Sequence, residues 1–264
     1  MIQPSNRAAQ SPGQPGGENW GEFFVGMPQE EALARLHFLV DSCRSLGIVG
    51  GGAGCGKTWT LVEFAAQSRR RGHEVAFVEL AGRDGRELLQ ELADSLNARS
   101  GLRDPRFQLW RAIRDRLIEN RLQRLHTVLV FDHVEEATEE SLGLLGRLLH
   151  ESDTPEAGLT LVLAAQGLDW SQAAPRILER AELKIELDHW SLSDVERFGG
   201  WRAARGGVEW EPEAFAAVWR VTGGTPRAVR RLVELAQLAV GNGSGERVSA
   251  EVIEAVRAEL VEPA

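Results

Sequence analysis

Gly51-Gly52-Ala53-Gly54-Cys55-Gly56-Lys57-Thr58, written GGAGCGKT, fits the pattern G-x-x-x-x-G-K-[ST]. It follows a short apolar run, Leu46 to Val49, and opens a segment, Thr58 to Arg71, with helical periodicity. Strand, glycine loop and helix in that order form a phosphate-binding loop. The glycines let the backbone curl so that several N–H groups point inward, and the helix adds its positive end. Lys57 supplies a point charge for terminal phosphates, and the Thr58 hydroxyl is a hard oxygen ligand suited to Mg²⁺. A plain glycine turn has no need of Gly-Lys-Thr at a helix start.

Outward from the loop, strands and helices alternate. Gln29 to Cys43 repeats apolar residues every three or four positions and reads as an amphipathic helix. Glu74 to Leu80 reads as an alternating strand, Arg86 to Ala98 and Phe107 to Arg124 as helices, and Thr127 to Asp132 as a buried strand. A helix over Glu139 to His150 and apolar strands over Leu159 to Ala165 and Leu183 to Leu187 complete the pattern. Apolar strands separated by helices predict a parallel sheet covered on both faces. Beyond Trp190 only helices are expected, over Ser193 to Arg205, Pro212 to Val221, Pro226 to Val240 and Ser249 to Leu260, with glycine-rich breaks between them. The composition of residues 1–19, rich in Gln, Pro, Gly, Ser and Asn, predicts a disordered leader. The expected divisions are therefore 1–19, an α/β domain over 20–190, and a helical domain over 191–264.

The 264-residue chain is 43% hydrophobic and carries a formal net charge of −9, which disfavours a broad nucleic-acid footprint. There is no long apolar span and no basic-then-apolar N-terminus, so a cytoplasmic location is expected. The two cysteines, Cys43 and Cys55, have neither disulfide nor zinc spacing. Arg69 to Arg71 read as a solvated helix end. Trp110, Trp201 and Trp219 fall at core spacings, Trp59 in the first turn of the loop's helix could pack beneath the sheet, and the histidines show no metal pattern.

Further candidates follow from the sheet. Asp132 closes an apolar strand whose carboxyl end a parallel sheet brings beside the loop, where a carboxylate can hold Mg²⁺ through its water shell. Gln166, at the end of LTLVLAAQ, reaches the same edge and could orient an attacking water or serve as a surface residue. Arg176 and Arg180, before the last strand, could reach a neighbouring subunit's nucleotide or lie on the surface. Arg227 stands in the first turn of a helix, where the dipole disfavours positive charge, which suggests that it faces an anion.

In order along the chain, EEALARL, GGAGCGKT, VLVFD, LTLVLAAQ, an arginine before LKIEL, and GGTPRAVRRL resemble the AAA+ ATPases of the ORC/Cdc6-like branch. The likeness is closest to the ATPase domain of general secretion pathway protein A (ExeA) and spans about residues 20–260. It implies a P-loop NTPase fold: a three-layer α/β/α domain with a five-stranded parallel sheet, followed by a small all-helical lid. It also implies ATP and Mg²⁺ as cofactors, and assembly into a homo-oligomer or with a protein partner. On this resemblance Gly51, Gly52, Ala53, Gly54, Cys55, Gly56, Lys57 and Thr58 are the Walker A loop, and Asp132 is the Walker B carboxylate that joins Thr58 at the metal. Gln166 is sensor 1, Arg180 the arginine finger and Arg227 sensor 2, while Phe23 to Met27 lie near the adenine.

One position departs from the family. Asp-Glu is the usual pair, whereas here Asp132 is followed by His133, Val134 and Glu135. The glutamate acts as general base on the attacking water; histidine also accepts protons near neutrality, with a different reach and, once protonated, the wrong charge beside a metal. The expected function is an ATP-binding AAA+ protein, Mg-dependent and slow in hydrolysis. A hydrolysis-deficient nucleotide switch and a DNA-associated regulator or loader remain as alternatives.

Overall fold

The computed structural model describes residues 24–101, 103–167, 175–241 and 247–259. The expected leader, Phe23 and the glycine-rich break at 242–246 lie outside the described residues. The element order is α1 (Met27–Asp41), β1 (Leu46–Gly51), α2 (Lys57–Arg70), β2 (Glu74–Glu79), α3 (Gly85–Ser95), α4 (Arg106–Leu122), β3 (Thr127–Asp132), α5 (Glu139–Glu151), β4 (Leu159–Ala164), α6 (Pro175–Glu179) and β5 (Leu183–Leu187). Four further helices follow: α7 (Leu192–Gly206), α8 (Pro212–Thr222), α9 (Pro226–Val240) and α10 (Ala250–Glu259).

The strands form one parallel sheet in the order β2-β3-β4-β1-β5. Successive strand residues face opposite sides, and both sides are covered. Ile48, Val78, Phe131 and Leu163 pack with α3, α4 and α5, while Val49, Phe77, Val130 and Ala164 pack with α1 and α2. This double coverage explains why β2 is buried at Val75, Ala76, Phe77 and Val78 alike, where simple alternation was expected. Two helices begin with reciprocal caps. The Asp84 carboxylate accepts from the Arg86 and Glu87 N–H groups at the start of α3, and Ser191 and Asp194 cap α7 in the same manner.

The helices after β5 build a separate apolar core around Trp190, Val195, Phe198, Val218, Val229, Leu232 and Ile253. Phe24, which precedes α1, joins it, with its ring centroid 5.5 Å from Trp190 and 5.4 Å from Phe198. Among the described residues no helix is long and apolar enough to cross a membrane. The short helix α6 escapes the sequence pattern, because Ile177 and Leu178 give it too little length for periodicity to show.

Candidate functional site

β1 ends at Gly51 and the chain turns into α2 through backbone conformations that suit glycine. Gly54 has φ +79° and Gly56 φ +98°, both in the left-handed region. Gly54 has a second reason to lack a side chain: a Cβ there would meet Thr225 Cγ2 and Arg227 Cβ at 3.1 Å each. The loop is thus shaped both by its own curl and by the helical part that rests on it. Lys57 opens α2 and donates from Nζ to the Gly51 and Gly52 carbonyls at 2.8 and 3.1 Å, so its ammonium lies across the mouth of the loop. Cys55 is fully buried, and burial pushes its thiol above the usual range against the opposing charge of Lys57.

The strand order places β3 one strand away from β1, with β4 between them. Asp132 ends β3, is buried, and accepts a hydrogen bond from the Thr58 hydroxyl at 2.6 Å. Two hard oxygen donors distant in sequence therefore touch beside Lys57, a donor set suited to Mg²⁺. β4 carries Gln166 to the same edge. The flanking residues pair with β1, Ala165 N–H with the Val49 carbonyl and Gly167 N–H with that of Gly51, and Gln166 itself is exposed.

His133 follows in the left-handed region at φ +55°, rare for a side-chain-bearing residue. Its backbone N–H donates to Asp132 Oδ1 at 2.9 Å. Its ring is surrounded by carboxylates: Nε2 lies 3.9 Å from Asp132 Oδ2, and Nδ1 lies 3.6 Å from Glu135 and 3.7 Å from Glu136. These separations are longer than hydrogen bonds. The two glutamates ride on a single 3-10 turn, Val134–Glu136, which the sequence pattern did not disclose.

The helical part meets the loop through the start of α9. The Arg227 N–H donates to the Gly54 carbonyl at 3.1 Å, while the Arg227 side chain is exposed and has no ion-pair partner among the described residues. Arg230 lies 5.9 Å from the Trp59 ring, which sets that ring against α9. The connector Asp188 to Trp190 is clasped by the Gly223-Gly224 turn: Trp190 N–H bonds the Gly224 carbonyl at 2.8 Å, the Trp219 indole bonds the Trp190 carbonyl at 3.1 Å, and His189 Nδ1 lies 3.0 Å from the Gly223 carbonyl. Trp219 is 40% exposed, so it serves this clasp more than the core expected for it. The Phe24 ring is committed to the lid's aromatic cluster, and the Met27 N–H donates to Asp194 at 2.9 Å. Burial opposes the Asp194 charge, yet hydrogen bonds from Met27 and Ser191 hold that carboxyl below its usual range.

Arg180 stands apart from this group. It donates to the Leu149 carbonyl at 3.0 Å and pairs with Asp153 near the amino ends of the strands, and Arg176 is exposed on α6. Neither joins the loop of its own chain. Arg69 donates to the Val75 carbonyl, Arg70 pairs with Glu63, and Arg71 lies 3.6 Å from Asp41, which accounts for that basic run within the fold.

With this geometry established, comparisons with known proteins agree on the fold. Residues 40–169 match the family model described as an AAA domain. Over this segment the chain is similar to that family. Among solved structures, the chain is similar to the Aeropyrum pernix ORC2 protein in its ADPNP-ADP complexes, at 17% identity and a TM-score of 0.65 over 92% of this chain and 70% of that one. Cdc6p from Pyrobaculum aerophilum matches at 17% identity and a TM-score of 0.70, covering 89% of this chain and 68% of the other. The Holliday junction branch migration motor RuvB of Thermotoga maritima matches at 18% identity and a TM-score of 0.62, over 90% and 70%. No curated protein matches the sequence. In fold, then, the chain is similar to the ORC/Cdc6 proteins and to RuvB, while the narrower likeness to ExeA rests on sequence motifs alone.

Proposed function

We propose that this AAA+ chain binds ATP with Mg²⁺ between the phosphate loop and the lid, and hydrolyses it slowly with His133 in the place of the usual glutamate. The observation that carries the reading is the 2.6 Å contact between the Thr58 hydroxyl and the Asp132 carboxylate at the mouth of a loop that also holds Lys57. Thr58 and Asp132 are the residues that would hold Mg²⁺, which when bound neutralises charge on the phosphates. The loop N–H groups and Lys57 bind the β and γ phosphates, and Arg227 adds a positive charge from the lid. Gln166 orients a water for in-line attack at the γ phosphorus. The new P–O bond forms as the bridging bond to ADP breaks, and the water's proton passes to His133 Nε2. His133 directly follows Asp132, with Nε2 3.9 Å from Asp132 Oδ2, a placement that supports histidine as the base.

Arg180 is assigned to a neighbouring subunit's nucleotide, as its position away from its own loop allows. Its partner would be a second copy of this chain, which makes turnover rise with assembly. RuvB is a Holliday junction motor, but the −9 charge of this chain argues against a similar DNA role.

The test has two stages. ATP with Mg²⁺ at a hundred times its Kd is expected to stabilise wild type by about 2.7 kcal/mol, and Lys57→Ala to abolish the effect. Absence of any stabilisation in the wild type would sink the reading. Phosphate release is then compared in wild type, His133→Ala and His133→Glu. A fall of about a hundredfold to ten-thousandfold in the alanine variant supports a histidine base. Turnover found only in the glutamate variant would instead make the chain a nucleotide-gated switch that does not hydrolyse.

A further inference from the structure

Gln29, in the first turn of α1, is a polar side chain only 2% exposed, and it uses both ends of its amide. Nε2 donates to the Cys55 carbonyl at 2.9 Å, and Oε1 accepts from the Trp190 indole N–H at 2.8 Å. An indole N–H only donates and a carbonyl only accepts, so the amide has one orientation that serves both. One partner lies in the phosphate loop, 26 residues away, and the other in the connector to the lid, 161 residues away.

The Cys55 end of this bridge has a consequence for the loop. In a trans peptide the C=O and the following N–H point in opposite directions, and no cis bond occurs among the described residues. Holding the Cys55 carbonyl toward α1 therefore turns the Gly56 N–H away from α1, and among the described residues no protein acceptor takes that N–H. Gly56 has φ +98°, and a peptide unit next to glycine turns over with little steric resistance, so its orientation has to be imposed from outside. The Trp190 end is itself fixed, by the Gly224 carbonyl and by the Trp219 indole. Packing there leaves no slack, since a Cβ on Gly26 would overlap the Trp190 indole nitrogen.

We propose that Gln29 is a positioning residue for nucleotide binding: it clamps the Cys55–Gly56 peptide with its N–H turned to phosphate oxygens, and through Trp190 it makes that clamp depend on the docked lid connector. The proposal rests on the reading above that the loop binds nucleotide phosphates. It assigns to α1 a role the loop motif does not contain.

The experiment measures ATP and ADP affinity by calorimetry in the full chain, well below the unfolding temperature of each protein, together with the Gly56 amide signal in ¹H–¹⁵N spectra. Gln29→Met keeps the length of the side chain and removes both hydrogen bonds. It is expected to weaken both nucleotides by about tenfold or more, the worth of one hydrogen bond to an anion. Its Gly56 amide is expected to move much less on addition of ATP than in wild type. Trp190→Phe keeps an aromatic ring but frees the amide oxygen; it should weaken both nucleotides to a smaller extent, and it carries the test if Gln29→Met does not fold. Variants that melt earlier yet bind ATP and ADP with wild-type affinity and show the wild-type Gly56 shift would overturn the proposal, leaving Gln29 a packing residue. If wild type shows no Lys57-dependent ATP binding, the underlying reading fails and this inference falls with it.

Discussion

At the amino edge of the sheet, where the strands begin, the charged groups that meet are answered within the chain. Arg44 pairs with Glu182 at 3.0 Å, Glu182 also accepts from the Ser45 N–H at 2.7 Å, Arg180 pairs with Asp153, and Arg116 approaches Glu74 at 3.5 Å. At the carboxyl edge, Lys57 donates only to loop carbonyls and the Arg227 side chain has no carboxylate partner among the described residues. The two edges are built from the same strands. The difference teaches which one is a seam of the fold and which one presents its charges outward. Strand carboxyl ends in a parallel sheet open onto loops that can be shaped for a ligand, and here the glycine loop, Asp132 and Gln166 are all delivered to that end.

The contrast can be broken most severely at the lid clasp. Gly224 has φ +72°, and a Cβ there would overlap the Trp190 carbonyl oxygen, a backbone atom that cannot swing aside. Gly224→Ala is expected to cost about 3 kcal/mol or more, combining backbone strain with a clash, and to expose the connector to limited proteolysis. Gly72, before β2 at the amino edge, has φ +89° but nothing within 4 Å of its Cβ, so Gly72→Ala should lose only about 1 kcal/mol of backbone preference. Equal melting temperatures for the two variants would contradict this distinction between strain alone and strain with a clash.

A smaller effect is expected at the amino edge from acid. His126 lies 2.9 Å from the Thr160 hydroxyl, and burial, aided by the charge of His73, lowers its pKa to about 4. Because the folded value lies below the unfolded one, the unfolded chain takes up the proton first. This stability is complete above about pH 6.5 and is lost as the pH falls toward 4. With allowance for partial exposure of the ring, about 1–2 kcal/mol should disappear between pH 6.5 and 5, adding to smaller losses of the same sign from His37 and His73. Urea unfolding across that range in wild type and His126→Asn checks it, and an unchanged slope in the variant would remove His126 from the account.

The smallest expected effect on stability is that of Arg180→Ala. Its pair with Asp153 is partly exposed, so its removal should cost only about 0.5–1 kcal/mol in thermal unfolding. The same variant sharpens the comparison in another way. If Arg180 serves a neighbouring copy, the rise of phosphate release with protein concentration should vanish while the fold persists. Retention of that rise would confine Arg180 to the amino-edge seam.

Much of this was legible in the chain before folding. Thr127 to Asp132, Leu183 to Leu187 and Pro226 to Val240 have the bounds that their apolar runs and flanking glycine and proline predict. The loop motif is local, so GGAGCGKT could be read without its surroundings. Gln29 carried no such signal: an isolated glutamine on an amphipathic helix looks like a solvent-facing residue, and only its burial between Cys55 and Trp190 reveals otherwise. The environment of His133 was also hidden, because the left-handed backbone that turns its ring among Glu135 and Glu136 depends on how β3 ends against the sheet.

The sequence by itself determined the strands, the longer helices, the glycine loop and the residue types gathered around it, because those depend on residue type and on spacings shorter than one turn or strand. The tertiary structure alone decided which groups meet: Thr58 with Asp132, Gly54 with Arg227, and Gln29 with both the loop and the connector. Those meetings are set by strand order and helix docking, which arise from burying apolar faces distant in sequence, and no local pattern in the chain encodes them.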